Sequence, residues 1–427
     1  MPGRGRATMV TSTFTPSAGP SQVARVGFFM ISFDPATPSP GFFSNPYPTY
    51  QMLREQDPLH RCPDGTWFLT RYADLERIYR DRSSFSSDKK TVFAPKFGDR
   101  SPLYEHHTTS LVFNDPPYHA RVRRAVVGAL TPHVLKDMRP GIIDLVDRLL
   151  ARIEVKGEFD AIQDFAAAIP VEVIGNLLSV PPAERAPLRE WSLAILGALE
   201  PVLTPEQQQR GNDAVTDFLA YLRTLLAVRR KEPVNDDSLL ARLIREERAA
   251  EPITATELLH NCIFLLNAGH ETTTNLIGNA LFLLLTHDDQ LQRLRADPTL
   301  INSAVEEFLR CESPNQLGNR LVVEPVQIAG TLLEPGAYLH LCIGAANRDP
   351  QVFPEPDRFD IARTPNPHLA FAAGAHACAG MSVARLEGQI AIQRIVQRFP
   401  RLRLHGEPVR GARARFRGFS VLPLATH

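Results

Sequence analysis

The chain has 427 residues, and its 47 Lys and Arg balance its 47 Asp and Glu, so the formal net charge is zero. This balance excludes a strongly basic nucleic-acid-binding protein and an acidic disordered tail, so no nucleic-acid partner is expected. The apolar fraction of 44% is typical of a globular protein, and the 36 prolines exclude a coiled coil or a repeat array.

The chain begins with a segment rich in Ser, Thr, Gly and Pro at residues 1–29, a composition that is typical of disorder. We therefore expect a disordered leader at 1–33 and one large domain at 34–427. Met30 is a candidate for the true start of the protein. The apolar stretch at 26–33 is too short, and too far from the basic residues before it, for a secretory signal.

The first structured elements are predicted to be a short helix and a β-hairpin. Residues 45–60 fit a helix that runs into a strand, and residues 66–70 fit a second strand, with a Pro-Asp-Gly turn between them. Residues 83–113 show no clean period, so we expect a long loop, which at this length is usually functional. His106 and His107 lie in this loop and are expected to face solvent.

From Asp115 onward the spacing of apolar residues predicts a mostly helical chain. The predicted helices lie at 117–130, 137–153, 161–178, 183–198, 205–231, 237–248, 254–286, 288–296, 300–312 and 380–399. Short strands are predicted within 320–341 and near 401–405 and 418–424, and a Pro-rich segment without period occupies 343–377. The expected fold class is therefore mainly α, a single large domain with a central long helix and a minor antiparallel β part.

The five cysteines are odd in number and contain no CxxC pair. Such a set argues against a disulfide framework and against a structural zinc site. A reducing compartment fits it best, so we expect a cytoplasmic protein. A membrane-spanning helix needs roughly 20 mostly apolar residues, which no segment supplies, so we expect no membrane anchor.

The helix predicted at 254–286 carries one isolated carboxylate, Glu271, in a long stretch without Lys or Arg. An apolar helix of this length is expected to be buried, and an ionised carboxylate there is costly unless something uses or solvates it. Ala268 and Gly269 thin the helix, and the Thr272 hydroxyl competes for backbone carbonyls, so a local groove for water or a small ligand is expected. The alternative is that Glu271 points into a hydrated gap while the threonines pack.

The segment Phe371–Gly380, FAAGAHACAG, places one Cys and one His among small residues directly before the predicted helix at 380–399. Small side chains let the backbone approach a flat ligand, and a helix N-terminus favours a thiolate at Cys378. Such a thiolate is a candidate nucleophile or metal ligand, although His376 and Cys378 alone cannot complete a zinc site. The alternative is a small buried Cys in a tight turn.

Two further pairs have the spacing of one helical face. Glu307 and Arg310 lie three residues apart, with Glu306 as a competing partner for Arg310. His119 and Arg123 lie four apart, and two cationic groups on one face suit an anionic partner. Each pair could instead be an exposed, solvated pair.

These four elements, in this order and with these separations, resemble the cytochrome P450 family over residues 42–424. The Cys loop matches the haem-binding signature F-G-x-G-x-[HR]-x-C-x-G, with Ala372 where Gly is usual. The motifs A-G-x-[DE]-T and E-x-x-R are also present. The matching residues are Phe371, Gly374, His376, Cys378 and Gly380 for the first motif, Ala268, Gly269, His270, Glu271 and Thr272 for the second, and Glu307 and Arg310 for the third.

The resemblance implies a haem b cofactor with Cys378 as the proximal iron ligand, whose electron donation favours O–O cleavage. Phe371 would pack near the ligand loop that contains Gly374 and Gly380, and Ala268 would leave room for O₂. The two haem propionates need cationic partners. By resemblance these partners are His119, Arg123, Arg320 and His376.

On the distal side, the resemblance implies that Thr272 hydrogen-bonds the iron-bound oxygen species and that Glu271 relays protons from solvent. Behind the Cys loop, Glu307, Arg310 and Arg358 would form a buried structural network. The implied lining of the distal pocket is mostly apolar with one amide. It comprises the segment 83–113, Phe264, Asn267, Ala268, Leu317 and Phe419.

The implied function is a haem-thiolate monooxygenase that inserts one atom of O₂ into a small, moderately hydrophobic substrate. The implied electron donors are a separate ferredoxin and ferredoxin reductase, and the protein is expected to be a monomer. One alternative is an enzyme that uses peroxide or works without external electrons, although the Glu271–Thr272 pair argues against it. Others are a non-catalytic haem sensor and a metal-free structural protein, which would show no turnover and no haem absorption, respectively.

Overall fold

The computed structural model describes residues 31–39, 41–128, 130–231, 238–249 and 251–427. Within these ranges, Phe33–His427 form one compact unit. The predicted leader lies outside the described residues except for its last three, and Met30 lies outside them as well. In the described part of the chain, no helix combines the length and the apolar character that crossing a membrane requires.

Helices make up most of the unit, which confirms the expected mainly α fold. They are α1 (Tyr47–Gln56), α2 (Tyr72–Arg80), α3 (Lys90–Phe97), α4 (Pro102–Thr109), α5 (Tyr118–Gly128), α6 (Pro132–Lys156), α7 (Ala168–Leu177), α8 (Leu188–Gly197), α9 (Pro205–Arg229), α10 (Leu239–Glu246), α11 (Ala255–Thr286), α12 (Asp288–Ala296), α13 (Ile301–Cys311), α14 (Ile343–Ala346) and α15 (Met381–Arg398). A single π-helical stretch, Ala161–Ala166, precedes α7.

The strands are short and form small sheets. They are β1 (Leu59–Arg61), β2 (Trp67–Leu69), β3 (Phe85–Ser86), β4 (Glu158–Asp160), β5 (Leu317–Val322), β6 (Val326–Ile328), β7 (Thr331–Leu333), β8 (Tyr338–Cys342), β9 (Arg403–Leu404), β10 (Val409–Arg410), β11 (Phe419–Val421) and β12 (Pro423–Ala425). The largest sheet has the order β1-β2-β8-β5-β3, and β1 and β2 form the expected hairpin. The β part is antiparallel as expected, apart from the parallel pairing of β2 with β8.

Helix α11 runs through the core and packs against α7, α8, α9, α13 and α15. Its start is fixed by a capping box, in which the Thr254 hydroxyl accepts from the Glu257 N–H at 3.2 Å and the Glu257 carboxylate accepts from the Thr254 N–H at 2.8 Å. Most of its residues are buried on all sides, because it is apolar nearly all round. The helix that carries Glu271 is thus surrounded by other helices.

The predicted long loop at 83–113 is wrong in part, because this segment contains β3, α3 and α4. Each helix has eight residues, which is too short to show a clear apolar period. Local interactions fix them instead: Ser101 caps α4 by accepting from the Tyr104 N–H at 3.0 Å. The buried rings of Phe93 and Phe97 anchor α3 to the core.

Candidate functional site

The loop before α15 folds tightly around Cys378. The Cys378 N–H donates to the Phe371 carbonyl at 2.9 Å, which closes the loop on itself. Gly374 has φ of +69°, and a Cβ there would lie 2.1 Å from the backbone oxygen of Tyr79 in α2, so only glycine fits. Ala372 has φ of +55°, a left-handed conformation that costs an L-residue about 1–2 kcal/mol. The departure from the resembled signature therefore introduces strain without removing a ligand.

The Cys378 thiol lies just before the N-terminus of α15, where two opposing effects act on its pKa. Burial raises the pKa of Cys378, while the Gly380 N–H and the charges of Arg123 and Arg385 oppose the rise. The pKa is raised on balance, so the helix N-terminus alone does not produce the expected thiolate. A positive charge directly on the sulfur is needed in addition, which is what a coordinated metal ion supplies.

Beside this loop the structure brings together the four residues that the resemblance implied as partners of the propionates, two arginines and two histidines. The rings of His119 and His376 lie 3.9 Å apart between centroids, and the charges of Arg123 and Arg320 act on both. Burial and these charges lower the pKa of His119 to about 4 and that of His376 to about 2. The four residues therefore form one cluster on α5, β5 and the Cys loop.

Lys89 belongs to the same cluster and was missed in the sequence. Its side chain is fully buried, it donates to the Ser86 carbonyl at 3.3 Å, and its charge acts on His376. Burial and Arg320 lower the pKa of Lys89 to about 7. It lies just before α3, in the segment expected to be a loop, so no apolar period marked it as a core position.

The cluster has an excess of positive charge, which Asp115 only partly balances. The Asp115 carboxylate already accepts hydrogen bonds from the Ser86 hydroxyl and the Ser87 N–H. The His119 Nε2 atom is buried without a hydrogen-bond partner among the described residues. Two partly buried arginines, a buried lysine and an unused donor position next to a cysteine fit a ligand that carries two carboxylates and a metal ion, as haem b does.

On α11 the structure agrees with the groove prediction at Ala268 and Thr272 but not at Gly269. The Thr272 hydroxyl donates to the Ala268 carbonyl at 2.7 Å, as expected for a threonine that competes for a helix carbonyl. Ala268 itself is exposed although it lies in the middle of α11, so this face borders open space. A Cβ at Gly269 would lie 2.8 Å from Ile174 Cδ1 of α7, so the other small residue of the motif serves helix packing.

Glu271 is 8% exposed and paired with an arginine that the sequence did not reveal. Its Oε1 accepts a hydrogen bond from Nη1 of Arg413, which lies between β10 and β11. Arg413 Nε also donates to Glu200 Oε1 at 3.0 Å, just after α8. Burial raises the pKa of Glu271, and the Arg413 charge opposes that rise. Glu271 therefore does not point into a hydrated gap. It is ion-paired with Arg413, which also binds Glu200.

Behind the Cys loop, Glu307 and Arg310 form the expected buried pair, with both side chains 0% exposed. Arg310 Nε and Nη2 each lie 2.8 Å from a Glu307 oxygen. The expected second arginine, Arg358, is wrong: Arg363 takes that position, with Nε 3.2 Å from Glu307 Oε1. Arg358 instead pairs with exposed Glu355 and contributes its carbonyl to Arg310.

The competing pairing of Arg310 with Glu306 does not occur. Glu306 accepts from Arg385 of α15 at 2.7 and 2.8 Å and lies 3.1 Å from His368. Residues 306 and 307 project from different positions around α13, so each carboxylate meets its own arginine. The E-x-x-R spacing therefore selects the correct partner, whereas the distant arginine could not be chosen from spacing.

Two other expectations are wrong, and a third fits the structure. His106 and His107 are buried on α4 instead of exposed, because their rings pack against each other and His107 packs against Phe97. Phe419 packs on Phe282 and the Arg410 guanidinium and lines a separate cavity of about 730 Å³, so it is not part of the α11 groove. Both side-chain polar atoms of Asn267 are buried without a partner among the described residues, which fits the single amide expected in the distal lining.

Comparison with known proteins points to one family. The cytochrome P450 family model matches residues 194–423. A biotin biosynthesis cytochrome P450 of Bacillus subtilis (strain 168) is 36% identical over 372 residues, which cover 86% of this chain and 93% of that protein. A vitamin D(3) 25-hydroxylase of Pseudonocardia autotrophica is 38% identical over 368 residues, 85% of this chain and 88% of that protein.

Solved structures agree in fold. P450BioI in complex with an acyl carrier protein ligated to hexadec-9Z-enoic acid has a TM-score of 0.85 at 35% identity, covering 91% of this chain and 100% of that one. A myxobacterial cytochrome P450 in complex with myristic acid has a TM-score of 0.84 at 34% identity, covering 91% and 98%.

Proposed function

The chain belongs to the cytochrome P450 family and is a cytochrome P450 monooxygenase with haem b as cofactor, and from this we propose how its own residues carry out the reaction. Residues 34–427 form the haem domain. The enzyme inserts one atom of O₂ into a small, moderately hydrophobic organic substrate, with two electrons from a ferredoxin and its reductase. The observation that carries the proposal is the closed Cys378 loop beside Lys89, Arg123 and Arg320, whose positive charge exceeds that of the neighbouring carboxylate of Asp115.

Cys378 is the protein ligand of the haem iron, with the Gly380 N–H as a hydrogen-bond donor to its sulfur. Bound haem b supplies the oxygen-activating redox chemistry, to which the thiolate contributes by electron donation. His119, Arg123, Arg320 and His376 hold the two propionates, and Lys89 adds a further charge. Phe371 lies under the Arg385 guanidinium, whose Cζ is 4.7 Å from the ring centroid, so the start of the Cys loop packs against α15.

On the distal side, Thr272 and Glu271 hold and move protons. The Thr272 hydroxyl can turn from the Ala268 carbonyl, 2.7 Å away, to donate into the groove. Glu271 Oε2 has no hydrogen-bond partner among the described residues, so it can pass a proton between solvent and the groove while Oε1 stays bound to Arg413. Ala268 leaves the space in which O₂ binds.

The substrate class is supported by the apolar surroundings of α11 and by the Asn267 amide, which offers one polar contact. The relatives named above act on or bind an acyl chain, a vitamin and a fatty acid, which are hydrophobic molecules with a polar group. We therefore propose a substrate of this general type for the present enzyme.

Two experiments test the function. A library of fatty acids, steroids and macrolides is titrated into the holoenzyme, and a substrate is expected to shift the haem spin state and to gain one oxygen atom on turnover with a surrogate ferredoxin system. Cys378→Ser is expected to lose the thiolate signature of the reduced carbon monoxide complex. Product without any requirement for external electrons, or an unchanged carbon monoxide spectrum in Cys378→Ser, would contradict the proposal.

A further inference from the structure

Arg413 connects three separate parts of the chain through two carboxylates. It lies in the segment 411–418 between β10 and β11, and its guanidinium donates Nη1 to Glu271 Oε1 of α11 and Nε to Glu200 Oε1 at 3.0 Å. Glu200 belongs to the α8–α9 connection at 198–204. The arginine head is stacked on the Phe416 ring, 4.7 Å from its centroid, which fixes its orientation.

Glu200 is itself held from three directions. Its Oε2 accepts the N–H groups of Ala414 at 3.1 Å and Arg415 at 3.2 Å, and its carbonyl accepts Nζ of Lys96, in α3, at 2.6 Å. Glu200 therefore ties the α8–α9 connection to the segment 411–418 and to α3. Because Arg413 is also bound to Glu271, a displacement of the connection changes the surroundings of the α11 carboxylate.

We call the arrangement Glu271–Arg413–Glu200 the bridge; the charge state of Glu271 depends on its other two members. Arg413 and Glu200 are the charged groups that act on Glu271, and Lys96 reaches the bridge through the Glu200 carbonyl. Burial and the Glu200 charge raise the pKa of Glu271, whereas Arg413 lowers it. Removing one member of a buried ion pair leaves the other charge uncompensated, so Glu271 without Arg413 would take up a proton.

The bridge also leaves hydrogen-bonding capacity unused. Glu271 Oε2 and Arg413 Nη2 are buried and have no partner among the described residues. A purely structural ion pair in such a place normally satisfies its buried atoms. Arg413 thus fixes one oxygen of the carboxylate and leaves the other available.

We propose that Arg413 is a positioning residue for the monooxygenase reaction: it holds Glu271 through Oε1, leaves Oε2 available for proton transfer, and through Glu200 makes the placement of Glu271 depend on the α8–α9 connection. This inference rests on the proposed relay at Glu271. It assigns a role to an arginine and a glutamate that lie outside the matched sequence motifs.

The first test measures the protonation of Glu271 by infrared spectroscopy of the holoenzyme at neutral pH, using the carbonyl band that only a protonated carboxyl shows. Arg413→Gln is expected to gain a band that disappears when Glu271→Gln is added, and Arg413→Lys, which keeps the charge, is expected to lack it. The matched control is Arg398→Gln, which removes an arginine from an exposed pair with Glu154. A band from Glu271 already present in the wild type, or none in Arg413→Gln, would overturn the proposal.

The second test measures the link to Glu200 by hydrogen–deuterium exchange of the holoenzyme. Arg413→Gln and Glu200→Gln are each expected to accelerate exchange severalfold in peptides covering 198–204 and 411–418. The double variant is expected to exchange no faster than the faster single variant, because both changes break the same bridge. Fully additive effects, or no acceleration in either variant, would refute the coupling.

The third test separates this proposal from the relay on which it rests. Peroxide formed per NADPH oxidised is measured with a surrogate ferredoxin system and myristic acid as the probe. Glu271→Gln and Arg413→Gln are both expected to raise the peroxide fraction severalfold, and Arg413→Lys is expected to restore part of the coupling. If Glu271→Gln changes nothing, the relay is wrong and the positioning role falls with it. If only Arg413→Gln changes nothing, the relay stands and the positioning role is wrong.

Discussion

The two sides of the site differ in how completely their buried polar groups are satisfied. In the proximal region, which comprises the Cys loop 371–380, α13, α15 and the segment 354–367, both Glu307 oxygens and all three Arg310 side-chain nitrogens have partners. The buried side-chain atoms of this region that lack a partner among the described residues are Asn366 Oδ1 and Glu387 Oε2. In the distal region, which comprises α11 at 267–272 with the segments 198–204 and 411–418, unpartnered atoms among the described residues lie on Asn267, His270, Glu271 and Arg413, and include both polar side-chain atoms of Asn267 and of His270.

This difference indicates that the proximal region mainly stabilises the fold and that the distal region mainly serves the reaction. A buried network in which every charge is paired and hydrogen-bonded rigidifies its surroundings, and breaking it costs stability. Buried polar atoms without partners cost stability in the folded protein and are kept where a ligand or a proton uses them. Changes in the proximal region should therefore act mainly on stability, and changes in the distal region mainly on the reaction.

The largest effect is expected from Arg310→Ala. It leaves Glu307 as a fully buried charge held by Arg363, Asn366 and the Asp360 N–H, and loss of one partner of a buried pair costs about 3–5 kcal/mol. We expect little folded holoprotein, measured as haem incorporated per protein chain and as thermal midpoint. Glu307→Gln, which removes the charge that Arg310 compensates, provides an independent measurement if the first variant does not accumulate.

The control for this prediction is Arg398→Gln, because the Arg398–Glu154 pair is about half exposed on both sides. Exposed pairs contribute about 0–1 kcal/mol, so this variant should fold and bind haem like the wild type. Equal losses in Arg310→Ala and Arg398→Gln would show that burial and satisfaction of the pair do not matter, and would remove the basis of the comparison.

The next effect, a pH-dependent change in stability, is expected for Glu387 on α15, a buried carboxyl of the proximal region. This carboxyl is buried, its Oε2 has no partner in the described part of the chain, and burial raises its pKa to about 8. Because the folded pKa lies above the unfolded value, stability from this group is fully present below about pH 4.5 and is lost as the pH rises through about 8.

Glu387→Gln should therefore be more stable than the wild type at pH 8, by up to about 4 kcal/mol, and should gain about 1 kcal/mol or less at pH 5. Denaturant unfolding of the holoenzyme at the two pH values measures this difference. A variant that is destabilised equally at both pH values would mean that Glu387 is needed as a carboxylate, and would move it from a structural to a functional position.

The parts of this site that could be predicted from the sequence are the local ones. The Cys loop, the E-x-x-R pair and the α11 motif are local patterns, in which backbone geometry and helical spacing fix the neighbours. Lys89, Arg363 and Arg413 act over long sequence separations: Arg413 meets Glu271 across 142 residues. Spacing carries no information on such contacts, so the prediction of Arg358 was wrong: the arginine that meets Glu307 is Arg363, five residues further along the chain.

The fold shows the same limit. The long helices and the hairpin were predictable because apolar periods and turn residues are strong over those lengths. The segment 83–113 was not, because α3 and α4 are two-turn helices held by a serine cap and by buried phenylalanines. The parallel pairing of β2 with β8 joins strands about 270 residues apart, and it depends on tertiary packing.

A stabilising change of smaller size is expected in the Cys loop from Ala372→Gly. Relief of the left-handed alanine, at φ of +55°, is worth about 1–2 kcal/mol, and the greater backbone entropy of glycine in the unfolded chain takes back about 0.5–1 kcal/mol. We expect a net gain of about 0.5–1 kcal/mol in the free energy of unfolding, with unchanged haem content. A loss of stability would show that Ala372 makes packing contacts that outweigh its strain.

The smallest effect on stability, and the clearest contrast between the two regions, is expected for Thr272→Ala. The hydroxyl makes one hydrogen bond, to the Ala268 carbonyl that is already bonded within α11, so its loss should change the free energy of unfolding by less than about 0.5 kcal/mol. Alanine is also a better helix former than threonine, which offsets part of the loss. The haem content and the substrate-induced spin-state shift should remain, whereas the fraction of oxygen released as peroxide should rise severalfold, because the groove loses its hydroxyl donor. A variant that retains full coupling would count against Thr272 as a proton donor, and a large fall in stability would show that the distal groove is built like the proximal network after all.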